Sequence, residues 1–507
     1  MLSENSAVPY RYRWLTLLAV ASALLLIVVD ITVLYTALPS LSAALHTTTS
    51  EKLWIVNAYS LVVAGLLLGM GSLGDHIGHR RMFMSGLTVF GLASLWAAFS
   101  PSSLILIIAR AALGLGAAMM MPATLAIIRD VFTDEKERSL AIGVWSSIAA
   151  GGAAMGPVVG GMLLEYFWWG SVFLINVPIV VLTLVVSLWV VPKHQPEPTH
   201  KKWDGCSSLL VMVGLIAAVS ALKEAALPNT SWAYFWGSVV MAFVFLGWFT
   251  HRQLHGPYPL LSFAIFKNPL FSAGVITAFL STVTLSGVEF AFTQQLQLVL
   301  EHSPFNAALV LLPLPISSLL AGPLSGYVMR YLPYQRLLVV AVLLSLVGMT
   351  CFAVLHDMGT WPRAASLILL GCGLSAAMTT ASYAVLEQAP ANQVGMVGSL
   401  EEISYELGGA MGVAVMGSVM SAVYSAYMLA TANSMNLPSA VDSLDEVRYL
   451  VGSMPAESAQ PLLHAALQAF DNAFNVVSWS AVGIMAAALL MVWGLVRQSE
   501  KKHPASS

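Results

Sequence analysis

Fourteen apolar stretches of about 20 residues or more follow one another along this chain, and about 20 such residues are what an α-helix needs to cross the hydrocarbon layer of a bilayer. They fall near 14–38, 53–73, 82–100, 104–128, 139–163, 171–191, 205–224, 232–250, 269–298, 305–329, 335–356, 362–386, 396–428 and 472–497. Only 9% of the 507 residues are charged, against roughly 25% in soluble domains. The pattern predicts an all-α integral membrane protein with 14 transmembrane helices. The first run is too long for the roughly 7–15-residue apolar core of a signal peptide, and no small-residue cleavage site follows it, so it is expected to remain as a helix. A net charge of -3 without a basic stripe excludes nucleic acid as a partner. The three cysteines show neither CxxC spacing nor a histidine pairing, so neither a metal site nor a disulfide framework is expected.

An even number of crossings returns the chain to the side on which it began. Basic residues then choose that side, because Lys and Arg are retained in cytoplasmic segments. With cytoplasmic termini, seventeen of the 22 Lys and Arg lie inside. Lys52, Lys223, Arg363 and Arg448 lie outside, and Arg110 falls within the fourth run. One miscounted helix would scramble this bias, so it supports the count as well as the orientation. The runs divide into a six-helix bundle over 1–192, a linker with two inserted helices over 193–251, and a second six-helix bundle over 252–507. The second bundle carries an outside loop, 429–471, expected to be part-helical and without chemistry. Gly71-Ser-Leu-Gly-Asp75 after the second run and Gly322-Pro-Leu-Ser-Gly326 at the end of the tenth form a weak repeat, as expected of transporters built from related halves.

Asp30 lies in the middle of the first run. Inserting a charge so deep costs about 2.5–3.5 kcal/mol even on lenient scales, so such a residue usually faces a partner or a polar cavity. Arg110 lies about 9 Å into the fourth run at 1.5 Å rise per residue, a depth similar to that of Asp30. Two readings stand: an Asp30–Arg110 pair or shared cavity that a proton would break, and an Arg110 that snorkels alone to the interface.

Further acids mark the second half. Glu289 is buried well inside the ninth run, while Glu401, Glu402 and Glu406 enter the thirteenth. Glu402 and Glu406 share a helical face at i, i+4, and Glu401 points about 100° away. Carboxylates in an apolar cavity suit a lipophilic cation, and a proton competing for them couples two fluxes. The alternative places the Glu401 cluster at a solvated helix entry, where acids favour the N-terminal dipole. Met119-Met-Met121-Pro122 suits an adaptable site, although methionines in membrane helices mostly serve packing.

Small residues concentrate in two places. Gly71, Asp75, Gly78, Arg80 and Arg81 occupy the short connection between the second and third runs, where glycines permit close approach and Asp75 can accept from arginines. Such a cluster suits a conformational latch, or an ordinary basic turn. Gly152, Gly156-Pro157 and Gly160-Gly161 line the fifth run, with small-xxx-small spacing for backbone contact and a proline that permits a bend.

Taken together, these segments resemble the major facilitator superfamily. Asp30-Ile-Thr-Val-Leu-Tyr-Thr-Ala-Leu-Pro39, the 71–81 signature loop, Arg110 with Gly114 and Gly116, the glycines of the fifth run, and Phe173-Leu-Ile-Asn-Val-Pro178 fit its fourteen-helix drug:proton antiporter branch. The segment Glu401-Glu-Ile-Ser-Tyr-Glu-Leu-Gly-Gly is similar to the thirteenth helix of quaternary-ammonium exporters. The resemblance implies a major facilitator fold of six, two and six helices. It implies proton-coupled multidrug efflux of lipophilic cations such as quaternary ammonium compounds, dyes and methyl viologen across the bacterial inner membrane, conferring resistance. Asp30 and Arg110 would couple the proton; Asp30, Glu289, Glu401, Glu402 and Glu406 would contact the cation. The 71–81 loop would gate the cytoplasmic side, and Gly156-Pro157 would limit proton leak. No cofactor beyond the proton motive force is implied, nor any partner beyond protons, small cations and lipid, and a monomer is expected. The tenth run carries no acid, whereas some relatives have one there that favours divalent cations, so Glu289 is the candidate substitute. An enzyme is not expected, since HExxH, GxSxG and clustered loop histidines do not occur. A proton-coupled exporter of an endogenous metabolite is the alternative.

Overall fold

Apolar runs of this length fold as helices because inside a bilayer every backbone N–H and C=O must be satisfied within the protein. The computed structural model describes residues 10–192, 204–225, 231–256, 261, 263–329, 331–388, 394–435, 444–451 and 456–502, and these contain helices and no strand. In chain order the helices are α1 (Tyr10–Leu45), α2 (Thr49–Ile77), α3 (His79–Ala98), α4 (Ser103–Val131), α5 (Glu135–Tyr166), α6 (Ser171–Leu174), α7 (Asn176–Val190), α8 (Gly205–Ala225) and α9 (Trp232–His255). The second half contains α10 (Pro269–Gln294), α11 (Pro304–Leu311), α12 (Pro313–Val328), α13 (Tyr334–Leu355), α14 (Thr360–Glu387), α15 (Val394–Met435), α16 (Leu444–Val451) and α17 (Ala456–Lys502). Among the described residues 12 stretches are long and apolar enough to cross a membrane. The helices α2 and α5 occupy the second and fifth runs, and each remaining run coincides with one of those stretches.

Helix ends depart from the apolar runs where local chemistry extends them. The first helix continues through Pro39 to Leu45, seven residues past the apolar limit. Thr48 then caps α2, accepting from the Glu51 backbone while the Glu51 carboxylate accepts from the Thr48 backbone. That reciprocal capping box starts α2 four residues before its apolar run. At the other end of α2, the expected 71–81 loop is mostly helix: Gly71–Ile77 completes α2, and Gly78, at φ +94°, is the hinge to α3. Nothing before Gly78 breaks the helix, and the left-handed conformation there is one that glycine adopts without strain. The expected outside loop is likewise largely helical, since α15 reaches Met435, α16 stands alone and α17 begins at Ala456.

Two buried clusters divide the molecule. One gathers side chains of α1 to α7 together with Phe290 and Val413 from across the seam, and the other those of α10 to α17. Between the clusters α2 packs on α15, while α5 packs on α11 and α12. The contact is reciprocal: with runs one to six matched to runs nine to fourteen, the second run of each half meets the fifth run of the other. This is the arrangement that two related halves produce across a pseudo-two-fold axis.

Close backbone approach builds both halves. A Cβ on Gly156 would lie 1.8 Å from Thr32 Oγ1, and one on Gly412 of α15 would lie 2.3 Å from the Val283 carbonyl of α10. Only glycine fits either place. Contacts across the seam occur at the ends where α1 finishes and α2 begins. There Gly161 meets Phe305, Gly417 meets Leu53, and Gln297 Nε2 donates to the Thr36 carbonyl at 3.0 Å.

The inserted helices pair with each other, and α8 lies against both α2 and α15. Lys223, counted above among the outside residues, is in the last turn of α8 and only 5% exposed, its ammonium 3.9 Å from the Trp54 ring centre. The linker residues 194–203 lie outside the described residues, but Asp204 next to them is well held. It accepts from Arg252 at 3.0 Å and from the Ser207 backbone at 3.1 Å. Partial burial opposes ionisation there, but the Ser207 and Arg252 hydrogen bonds prevail and hold the carboxyl below the usual range.

Candidate functional site

Asp30 and Arg110 are joined. A guanidinium nitrogen of Arg110 donates to Asp30 Oδ2 as an ion pair, and the two side chains are 0% and 1% exposed. Arg110 therefore does not snorkel. Its Nε donates to the Ile55 carbonyl of α2 at 3.1 Å, and its guanidinium carbon lies 4.7 Å from the Tyr59 ring centre. Gly114, one turn further along α4, explains the reach. A Cβ there would fall 2.6 Å from the Tyr59 carbonyl, so glycine lets α4 approach α2 closely enough for the arginine one turn away to span the gap.

The other carboxylate oxygen, Oδ1, accepts from Asn176 Nδ2 at 3.0 Å. The same amide nitrogen also lies 3.3 Å from Ser94 Oγ on α3. Asn176 is the first residue of α7, just after the break at Ile175. Pro178 lacks the N–H that would bond the Leu174 carbonyl, which accounts for a discontinuity at this point. Elements α1, α2, α3, α4 and α7 thus converge on one carboxylate. Asn176, Ser94 and Tyr59 were missed in the sequence, although an amide buried in a membrane helix invites the reasoning that found Asp30.

A second group of acids borders the seam. Glu289 of α10 lines a narrow cleft together with Tyr35, Thr36, Pro157, Thr293 and Leu311. It has no hydrogen-bond partner among the described residues. Tyr35, five residues beyond Asp30 on α1, hydrogen-bonds Ser286 and is within electrostatic reach of Glu289, Glu406 and Arg110. Glu406 hydrogen-bonds Ser60 of α2 across the seam. Glu402 shares its face and is half-buried. Glu401 points elsewhere: it accepts from Ser382 and from Tyr405 Oη, the latter at 3.0 Å, and so ties α15 to α14 within its own half. The structure thus brings Glu289 and Glu406 to the neighbourhood of Tyr35 and leaves Glu401 apart.

The glycines and arginines have separate positions. Gly152, Gly156 and Gly160 face α1, and Gly161 faces Phe305 of α11. Pro157 borders the cleft beside Glu289. Gly71 lies against Pro122 of α4. Arg80 donates to the Leu188 and Val191 carbonyls at 2.8 and 2.7 Å, covering the exposed end of α7, while Arg81 is exposed. The backbone of Asp75 is in the last turns of α2, and its side chain lies outside the described residues. Among the described residues no group of His, Cys, Asp and Glu is placed to hold a metal ion.

The family model of the Major Facilitator Superfamily matches residues 20–413. The methyl viologen resistance protein SmvA of Salmonella typhimurium is 35% identical over 494 residues, which cover 97% of this chain and 99% of that protein. The multidrug efflux pump LfrA of Mycolicibacterium smegmatis is 35% identical over 482 residues, covering 94% and 95%. Among solved structures, an inward-facing, unoccupied bacterial homolog of the human lysosomal transporter Spinster matches with a TM-score of 0.68 at 15% identity, over 98% of this chain and 100% of that one. That likeness is one of fold alone.

Proposed function

This chain belongs to the major facilitator superfamily, as a multi-pass membrane transporter and not an enzyme, and we propose that it exports lipophilic cations in exchange for protons. Drug efflux is supported by relatives that are named as a methyl viologen resistance protein and a multidrug efflux pump and match nearly the whole chain. Proton coupling is supported by one observation above the others, the sealed Asp30–Arg110 pair. Removing one partner from a buried ion pair typically costs about 3–5 kcal/mol, because the remaining charge is left uncompensated. Moving a two-state equilibrium from 1:99 to 99:1 takes about 5.5 kcal/mol. Neutralising Asp30 with a proton therefore acts on the same scale as a full conformational switch.

In this reading the two halves rock about the α2–α15 and α5–α11 contacts. With the far ends joined through Gly161 and Gln297, the path is closed on the side away from the termini. A cation entering from the terminal side, which we assign to the cytoplasm of a bacterium with the protein in its inner membrane, meets Glu406 first and Glu289, in the cleft nearer the closed end, beyond it. Tyr35 is within electrostatic reach of both acids and of Arg110, the partner of Asp30. A proton taken up at Asp30 after the cation leaves breaks the pair and favours the return, and its release on the terminal side restores the pair. No cofactor enters the cycle, and a single chain is sufficient for it.

Energised inverted vesicles test this reading. Methyl viologen or a monovalent quaternary ammonium dye should dissipate the pH gradient, a neutral drug should not, and Asp30→Asn should abolish the response. A gradient insensitive to every cation, with folded protein present, would overturn cation export and favour an endogenous metabolite as substrate.

A further inference from the structure

Asn176 plays no part in the reading above, yet it is the only neutral side chain among the described residues that hydrogen-bonds Asp30. It is 1% exposed, it starts the helix that follows a break, and its amide nitrogen lies between Asp30 Oδ1 and Ser94 Oγ. An ionised carboxylate can only accept hydrogen bonds, whereas a protonated one must also donate, and an amide offers both functions at opposite ends of one rotatable group. Oδ2 faces the guanidinium, so Oδ1 is the oxygen open to a proton.

We propose that Asn176 is the positioning residue of the proton site, donating to Asp30 Oδ1 in the ionised state and turning its carbonyl to accept from the protonated carboxyl. Ser94 supports both states, because a hydroxyl can accept from the amide N–H or donate to its carbonyl. Both protonation states of Asp30 are then satisfied without water, as a site this dry requires. The other titratable groups around the pair are Arg110 from α4, Tyr59 from α2 and Glu406 from α15, with Tyr35 further along α1 and Glu289 of α10 beside it. Among the described residues none of these hydrogen-bonds Oδ1, which only Asn176 reaches.

This inference rests on Asp30 carrying the coupled proton, and the test separates the two. Purified protein in proteoliposomes is assayed for dye-driven proton flux from acid to alkaline pH, as wild type, Asp30→Asn, Asn176→Ala and Asn176→Ser. Asn176→Ala loses a bond to the charged carboxylate, about 1.5–3 kcal/mol, and a weaker one to the protonated carboxyl, about 0.5–1.5 kcal/mol; as one pH unit corresponds to about 1.4 kcal/mol, the difference should move the half-maximal pH upward by about one unit. Asn176→Ser, which keeps a group able to donate and accept, should fall between Ala and wild type. Infrared spectra give a readout that does not need transport: the protonated-carboxyl band absent from Asp30→Asn should titrate at higher pH in Asn176→Ala. If Asn176→Ala does not fold, the serine variant decides by the same two measurements.

An unchanged pH profile and an unchanged carboxyl titration would overturn the proposal, whatever the loss of rate. Retained dye-driven flux in Asp30→Asn would instead overturn the assignment of the proton to Asp30. Flux abolished in Asp30→Asn with an unmoved profile in both Asn176 variants would remove the role of Asn176 alone.

Discussion

Gly161 of α5 lies so close to Phe305 of α11 that a Cβ added to it would fall 2.7 Å from the Phe305 Cα. Gly156, five residues earlier on the same helix, instead faces Thr32 within its own half. Two glycines of one motif thus serve different interfaces, and their substitution should fail in different ways. Gly161→Val leaves the first bundle intact but holds the far ends apart. We expect folded protein without transport, in which a cysteine placed at Gln297 becomes more reactive to a membrane-impermeant thiol reagent. Gly156→Val overpacks the α1–α5 contact, and overpacking costs about 1–3 kcal/mol, so it should lower the melting temperature in detergent. Equal destabilisation by both variants would show that Gly161 is not at a moving contact.

The Asp30–Arg110 pair should be asymmetric towards substitution. Asp30→Asn leaves a buried guanidinium that keeps its charge and has lost its counter-ion. Arg110→Met leaves a carboxyl that can be neutralised by taking a proton. In detergent Asp30→Asn should therefore unfold at lower temperature than Arg110→Met, and the double variant should recover part of the loss. Both single variants should lose coupled transport. A double variant no more stable than Asp30→Asn would mean that the pair is not the source of the asymmetry.

At the start of the inserted hairpin, Asp204 gives a pH signature. Its hydrogen bonds to Ser207 and Arg252 hold it below the ordinary Asp value of 3.8. A depressed folded value stabilises the protein above the unfolded value, and that stability is lost as pH falls through the folded one. Asp204→Asn should melt roughly a degree or two below wild type at pH 7, as expected for about 1 kcal/mol in a chain this size. As pH falls below 3.8 and through the depressed folded value the two should converge, since the wild-type carboxyl is then becoming protonated. A difference that persists undiminished in acid would assign the effect to packing and not to charge.

The element order was legible because bilayer thickness and backbone hydrogen bonding leave an apolar run of this length few other forms. Helix ends were not, because capping and hinge chemistry set them: the Thr48–Glu51 box and Gly78 act through geometry and not apolarity. Asp30 and Arg110 could be matched in depth from residue rise alone. Whether they touched depended on rotation about their helix axes, which is set by tertiary packing such as that of Gly114 on Tyr59. The same ambiguity hid the bonds that Glu401 makes to Ser382 and Tyr405 within its own half. Lys223 stands at the end of α8 as the charge count has it, but its burial against Trp54 depends on how α8 packs on α2 and could not be read from the sequence.

Glu289 is the acid by which cation recognition can be separated from proton coupling. It borders the cleft between the halves without a hydrogen-bond partner among the described residues, while Asp30 is fully engaged. A carboxylate in such a cleft gains an opposite charge when a cation binds, and an interaction of about 1.4 kcal/mol is worth tenfold in affinity. Glu289→Gln keeps the shape and removes the charge. We expect the Km for a monovalent quaternary ammonium dye to rise roughly tenfold, with maximal dye-driven proton flux retained. Methyl viologen, with two charges, should be affected more strongly, because the tenth run carries no acid to supply a second contact. Glu401→Gln should leave both values of Km near wild type, since that carboxylate is occupied within its own half. If Glu289→Gln abolished proton flux at saturating dye, Glu289 would carry the proton itself, and the division of labour between it and Asp30 would be wrong.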